Sequence, residues 1–191
     1  MADGRGAPPI GTRIAFDQLP TIICVAGSRD FPRRAWVTAF VDRLQPGTTI
    51  AHGCGPASPE EWAGGAAVAQ GLEVMTFPAN WGRYGRSAGP RRNREMLSCV
   101  GAWGGVLVAF ATRSASGELL HGPADAIRQA AEIGVPYHLI AVDADGAVTT
   151  GSHAFEPYLL STADGHQPAA PVPRASADPF PVADSARPIP E

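Results

Sequence analysis

Four short segments hold the residue types that grip anionic ligands. Gly27-Ser28-Arg29-Asp30 offers a glycine that lets backbone N–H groups close on a phosphate, with a guanidinium beside it. His52-Gly53-Cys54-Gly55-Pro56 sets two glycines around one residue, a pattern suited to a backbone cradle ahead of a helix. Residues 80–96 are the densest stretch, carrying Trp81, Arg83, Tyr84, Arg86, Arg91, Arg92, Asn93 and Arg94. Residues 111–121 are rich in Ser, Thr and Gly and lead into Gly122-Pro123-Ala124-Asp125. There Gly117 would admit a closely approaching ligand, and a helix opening near Gly122 would present free N–H groups to another anion.

The second and third segments need weighing. Cys54 has a nucleophile's side chain, but with His52 only two residues upstream the pair is a weak signal for a nucleophile and its base. His52 therefore reads as a packed strand end. Arg91, Arg92 and Arg94 fall early in a helix predicted for residues 90–99. That is the wrong sign for a helix N-terminus, which favours anions by ~0.3–1 kcal/mol per charge. An external anion completing the site, with Arg92 as its main contact, resolves the conflict; neutralisation by Glu95 and other acids is the plainer alternative. Trp81 and Tyr84 could stack on a base or pack the loop onto the core. Each segment alone also reads as an ordinary turn. Together they point to one pocket, provided the fold gathers them.

The intervening sequence supplies such a fold. A continuous apolar run at 21–26 reads as a strand buried on both faces, and 48–52, 72–77, 105–110 and 136–142 read as further strands. Helical spacing fills 33–44, 60–70, 90–99 and 122–133, the last closed by Gly134. Alternation with short joins predicts an α/β, Rossmann-like three-layer sandwich around a central, mostly parallel sheet of about five strands. Ligands of such sheets bind beyond the carboxyl ends of the strands, near the reversal of strand order. All four segments follow predicted strands. Residues 1–20 read as an irregular leader, 21–160 as the folded domain, and 165–191, rich in Pro and Ala, as a disordered tail.

Composition narrows the partners. A formal charge of −3 and a pI near 5.9 argue against a broad electrostatic grip on nucleic acid. No apolar run approaches the ~18 residues of a membrane span, and the N-terminus lacks a secretory pattern. Cys24, Cys54 and Cys99 are scattered, with no paired spacing, which fits a reduced cytoplasm and gives neither a disulfide framework nor a metal site. Nothing in the chain calls for a cofactor.

Residues 81–96 closely resemble the SLOG superfamily, specifically its YspA/YpsA-type branch, whose relatives include LOG phosphoribohydrolases and DprA-like DNA-processing proteins. The signature is Trp-x-x-x-Gly-x-x-Ala-Gly-Pro-x-Arg-Asn-x-x-Met, matched by Trp81, Gly85, Ala88, Gly89, Pro90, Arg92, Asn93 and Met96. The Gly27–Asp30 turn and His52-Gly53 match as well, so the resemblance spans roughly residues 21–140. It implies a Rossmann-like bacterial or phage protein, a dimer or tetramer, that binds a nucleotide or nucleotide-derived ligand. The second turn departs from the branch's Gly-Ala-Asp, with Glu60 as the replacement acid. The fourth departs too: Gly122-Pro123 stands for Gly-Thr, and Ala126, beside Asp125, stands where the hydrolases have a glutamate. Arg92 matches the hydrolases' arginine, so half of a catalytic pair is retained.

Two main expectations follow. The first is a sensor or binding module holding a nucleotide's phosphates between Gly27, Ser28 and Arg29, the turn Gly53, Cys54 and Gly55, the pair Arg92 and Asn93, and the turns at Gly117 and Gly122. The second is a phosphoribohydrolase acting on a nucleoside monophosphate, with Arg92 gripping the ligand and Asp125 or Glu60 stabilising charge on the sugar. Single-stranded DNA handling is a third class, disfavoured by the chain's acidity.

Overall fold

The computed structural model describes residues 13–119, 121–155 and 159–160. The predicted tail at 165–191 and the start of the leader lie outside them. Six strands form one sheet: β2 (Ile22–Gly27), β3 (Thr49–His52), β4 (Glu73–Thr76), β5 (Val106–Thr112), β6 (Tyr137–Val142) and β7 (Val148–His153). Their spatial order is β4-β3-β2-β5-β6-β7. The first five run parallel and β7 is antiparallel on β6. The fold is thus α/β and Rossmann-like, a mostly parallel sheet between two helical layers. Strand order reverses between β2 and β5, where a ligand crevice is expected.

The continuous apolar runs explain the layering. β2 and β5 are buried along almost their whole length, as central strands covered on both faces must be. Ile23, Val25, Ile50, Val106, Val108 and Phe110 face helices α1 (Arg34–Val41) and α2 (Pro59–Ala69). Cys24, Ala26, Ala51 and Leu107 face α4 (Ala88–Ala102) and α5 (His121–Ile133). Gly134, at φ +76°, takes the left-handed turn that ends α5.

Several details differ from the sequence expectations. Part of the expected leader is regular: β1 (Arg13–Ile14) pairs with β8 (Leu159–Leu160), a short 3-10 turn follows at Phe16–Gln18, and the Phe16 ring lies 5.6 Å from Phe40. A short helix α3 (Trp81–Tyr84) precedes α4, which starts two residues earlier than expected. β7 was not foreseen; its sequence, Val-Thr-Thr-Gly-Ser-His, is polar because it forms an exposed edge. Among the described residues no helix is long and apolar enough to cross a membrane.

Candidate functional site

The turn after β2 stitches the sheet together at its reversal point. Ser28 is buried; its N–H donates to the Phe110 carbonyl at 2.9 Å, and its Oγ accepts the Thr112 N–H at 3.0 Å. A Cβ on Gly27 would overlap the Pro59 ring, so the missing side chain seats the start of α2 against the end of β2. The close approach expected of a phosphate at Gly27 is made by a helix. Arg29 alone of the three is exposed.

The turn after β3 directs its N–H groups onto its own side chains. Cys54 N–H donates to His52 Nδ1 at 3.2 Å, Gly55 N–H to Glu60 Oε2 at 2.8 Å, and Ala57 N–H to the Glu61 carboxylate at 2.6 Å. Ser58 Oγ donates to the Gly55 carbonyl at 2.6 Å. The Glu60 and Glu61 carboxylates therefore fill positions an external anion would need. His52 is buried, as its strand-end reading predicted, and packs where Gly64 lacks a side chain: a Cβ there would lie 2.5 Å from Nε2. Burial and the Arg92 charge lower its pKa. Nδ1 is occupied by a backbone donor, so it holds the turn rather than activating the exposed Cys54 thiol. An open groove of about 480 Å³ flanks this turn, bounded by His52, Cys54, Pro56, Gly64, Val68 and Val74.

Arg92 crosses from α4 into this turn. Its guanidinium fills the space where Gly53 has no Cβ. Nη1 donates to the carbonyls of Gly53 and, at 3.5 Å, Phe77, while Nε donates to Asn93 Oδ1 at 2.9 Å. Nη1 also lies 4.0 Å from Glu60 Oε2. Burial pushes the Glu60 carboxyl up in pKa, against the opposing pull of Arg92, the Gly55 N–H and Arg29. Asn93, buried, donates from Nδ2 to Asp125 Oδ2 at 2.9 Å. The same oxygen accepts Gln129 Nε2 at 2.8 Å, and Asp125 Oδ1 accepts Arg128 Nη2 at 2.6 Å. One polar network thus joins α2, the β3 turn, α4 and α5.

The reading of Arg91, Arg92 and Arg94 as an unbalanced cluster requires correction. Arg91 lies 4.8 Å over the Tyr84 ring, Arg94 is 3.4 Å from Glu132, and Arg92 is engaged by carbonyls. Because α4 opens at Ala88, Arg91 is its fourth residue, past the strongest part of the helix field. The arginines are balanced from within and by themselves require no external anion.

The fourth segment divides. Gly117, at φ +80°, makes a tight turn with its N–H donating to Ser114 O at 2.8 Å, and its carbonyl accepts Arg113 Nη1 at 2.8 Å. Gly122 is exposed in the first turn of α5, a turn without acidic residues. Arg29, Arg92, Asn93, Gly53, Gly55, Glu60 and Asp125 therefore gather at the carboxyl end of the sheet, whereas Gly27 and Ser28 serve its construction. Asp125 as a three-donor hub, Gln129 and Gly64 were not anticipated. Gly64-Gly65 inside an Ala-rich helix was the available signal, since paired glycines there invite a close neighbour. Among the described residues no group of three or more His, Cys, Asp or Glu side chains could hold a metal. No protein-family model matches the chain, and a search of curated proteins finds no match.

Proposed function

We propose that this protein binds a nucleotide or nucleotide-derived phosphate ligand over the carboxyl ends of β2, β3 and β5, as a sensor or binding module. The observation that carries the reading is convergence: Arg29, after β2, and Arg92, from α4, both act electrostatically on Glu60, which accepts the Gly55 N–H. The Arg29 charge, weakest of those acting on Glu60, and the Arg92 guanidinium thus come from distant segments to the same side of the sheet. The acid-free first turn of α5 supplies further N–H donors, linked to α4 through Asn93–Asp125. Arg29, exposed and without a carboxylate within 4 Å among the described residues, is the natural phosphate contact. The resemblance to SLOG proteins supports the same ligand class and adds a cytoplasmic dimer or tetramer, which sedimentation would measure.

A thermal-shift panel of mononucleotides, dinucleotides and ADP-ribose-like compounds tests the reading. A ligand at a hundred times its Kd stabilises the fold by ~2.7 kcal/mol, worth several degrees for a domain of this size. Arg29→Ala should abolish that shift while the unliganded melting temperature stays put. A panel with no stabilising member removes the proposal.

One observation favours a second reading, hydrolysis of a nucleoside monophosphate at its glycosidic bond. Glu60 is a buried acid 4.0 Å from the Arg92 guanidinium, and its carboxylate form would stabilise a sugar cation. Release of free base from nucleotides, followed chromatographically, decides it; unaltered nucleotide at high protein concentration leaves binding alone.

A further inference from the structure

We infer that the Glu60–Arg92 pair reads the ribose hydroxyls of the ligand rather than its phosphate; this rests on the nucleotide reading and names the sugar class its site accepts. A phosphate dianion seated against Glu60 would meet a carboxylate across the same contact, and Arg92 already gives Nη1 and Nε to the protein. What each partner has left is one polar atom. Glu60 Oε2 accepts the Gly55 N–H, while Oε1 has no hydrogen-bond partner among the described residues. Arg92 Nη2 likewise donates to none of them. The described side-chain atoms sealed from solvent without a hydrogen bond are Thr112 Oγ1, Gln129 Oε1, His138 Nδ1 and Asp143 Oδ1. Glu60 Oε1 and Arg92 Nη2 are therefore not sealed. The side chains keep 9% and 13% of their surface exposed, so a ligand meets only their tips.

One free acceptor and one free donor, on side chains whose other atoms approach to 4.0 Å, complement a pair of vicinal hydroxyls, each of which can donate and accept. A 2′-deoxy sugar leaves one of these largely buried groups unmatched, and sites built around a hydroxyl discriminate strongly against its absence. The phosphate then falls to Arg29 and the start of α5. Gly55 lacks a side chain at the point where a Cβ would lie 2.5 Å from Glu60 Oε2, which keeps the carboxylate against the turn backbone.

The test is calorimetric titration of the full chain with the four 5′-ribonucleoside monophosphates and their 2′-deoxy counterparts. For the ribonucleotide that binds best, the expected affinity is at least tenfold above its deoxy form. In Glu60→Gln, with folding checked by circular dichroism, the ratio should fall to within about threefold while the deoxy affinity stays near its wild-type value. The wild-type ratio needs no variant, so a poorly folded Glu60→Gln leaves the inference testable. Equal ribo and deoxy affinities overturn it and leave the nucleotide reading standing. A gain in affinity for both sugars in Glu60→Gln overturns it too, because Glu60 would then be a competitor for the phosphate. Absence of binding by any nucleotide overturns both.

Discussion

On the β3 side of the sheet, His52, Glu60 and Asn93 are buried and each is hydrogen-bonded: His52 to Cys54, Glu60 to Gly55, Asn93 to Asp125. On the β6 side His138 is buried as deeply, yet its Nδ1 has no hydrogen-bond partner among the described residues and its ring lies 5.2 Å from Phe155. Thr112 Oγ1 and Asp143 Oδ1 share that condition, although Asp143 retains an ion pair with Arg113 at 3.5 Å. Gln129 Oε1 is the exception within the network. The contrast separates two uses of burial. Near β3, charged groups are held in fixed mutual geometry, which is what a ligand site requires. Near β6, a neutral imidazole fills core volume as an aromatic would. If that contrast is physical, substitutions on the two sides must differ in kind.

The largest effect belongs to Arg92. Arg92→Ala strips donors from the Gly53 and Phe77 carbonyls and leaves Glu60 buried without its nearest cation. Removing one member of a buried pair typically costs about 3–5 kcal/mol. Urea unfolding should show that loss as a lower midpoint at unchanged slope. A loss under about 1 kcal/mol would mean that the network is ornamental and the two sides alike.

Acid titration probes the other side. Burial lowers the His138 pKa to about 4 from its ordinary 6.5. The unfolded chain therefore takes up this proton first, at the higher pH. The stability tied to neutral His138 is complete above pH 6.5 and declines as pH falls toward 4. The shift corresponds to about 3 kcal/mol. His52 shifts the same way, and carboxylates add their own acid sensitivity. The decisive quantity is thus the difference between the wild type and His138→Phe, which should be flatter over that interval. Parallel curves would show that His138 is not held neutral.

Two adjacent glycines allow a finer comparison inside α2. Gly65 faces open space, so Gly65→Ala should gain up to about 1 kcal/mol from helix propensity. Gly64 is pressed on by the His52 ring, so Gly64→Ala should lose about 1–3 kcal/mol despite the same propensity gain. Thermal unfolding of the two variants must move in opposite directions. Movement in the same direction would dissolve the claim that His52 is wedged against the helix.

The same glycine pair shows how far sequence could be read. The five parallel strands and four long helices were legible: central strands such as β2 and β5, covered on both faces, must be apolar throughout, and α2 or α5 must repeat every 3.6 residues. β7 was not, since an exposed edge strand carries no such run. The positions of the site turns were legible for the same topological reason. Where their N–H groups point was not. Gly55 could have faced a ligand or Glu60, and the choice depends on a side chain five residues onward that fills the anion's place first. The arginine argument went wrong for a related reason: it counted charge along α4, whereas the partners of Arg92 and Arg94 lie across space on the β3 turn and α5.

Arg94 gives the smallest expected effect and the closest control on Arg92. The two sit two residues apart on α4, but Arg94 and Glu132 are 59% and 45% exposed and 3.4 Å apart. Water screens such a pair, and Glu132 keeps a second cation in Arg128. Arg94→Ala should therefore cost at most about 1 kcal/mol. What it does cost should shrink further as salt is raised to 1 M, where the screening length is about 3 Å. The cost of Arg92→Ala, by contrast, should hardly respond to salt, because its partners are backbone carbonyls and a carboxylate shielded from solvent. Measuring both variants at low and high salt separates the surroundings from the side chain, since the residue type is the same. Equal salt sensitivity would place Arg92 in water with Arg94, and the pocket that depends on its burial would go with it.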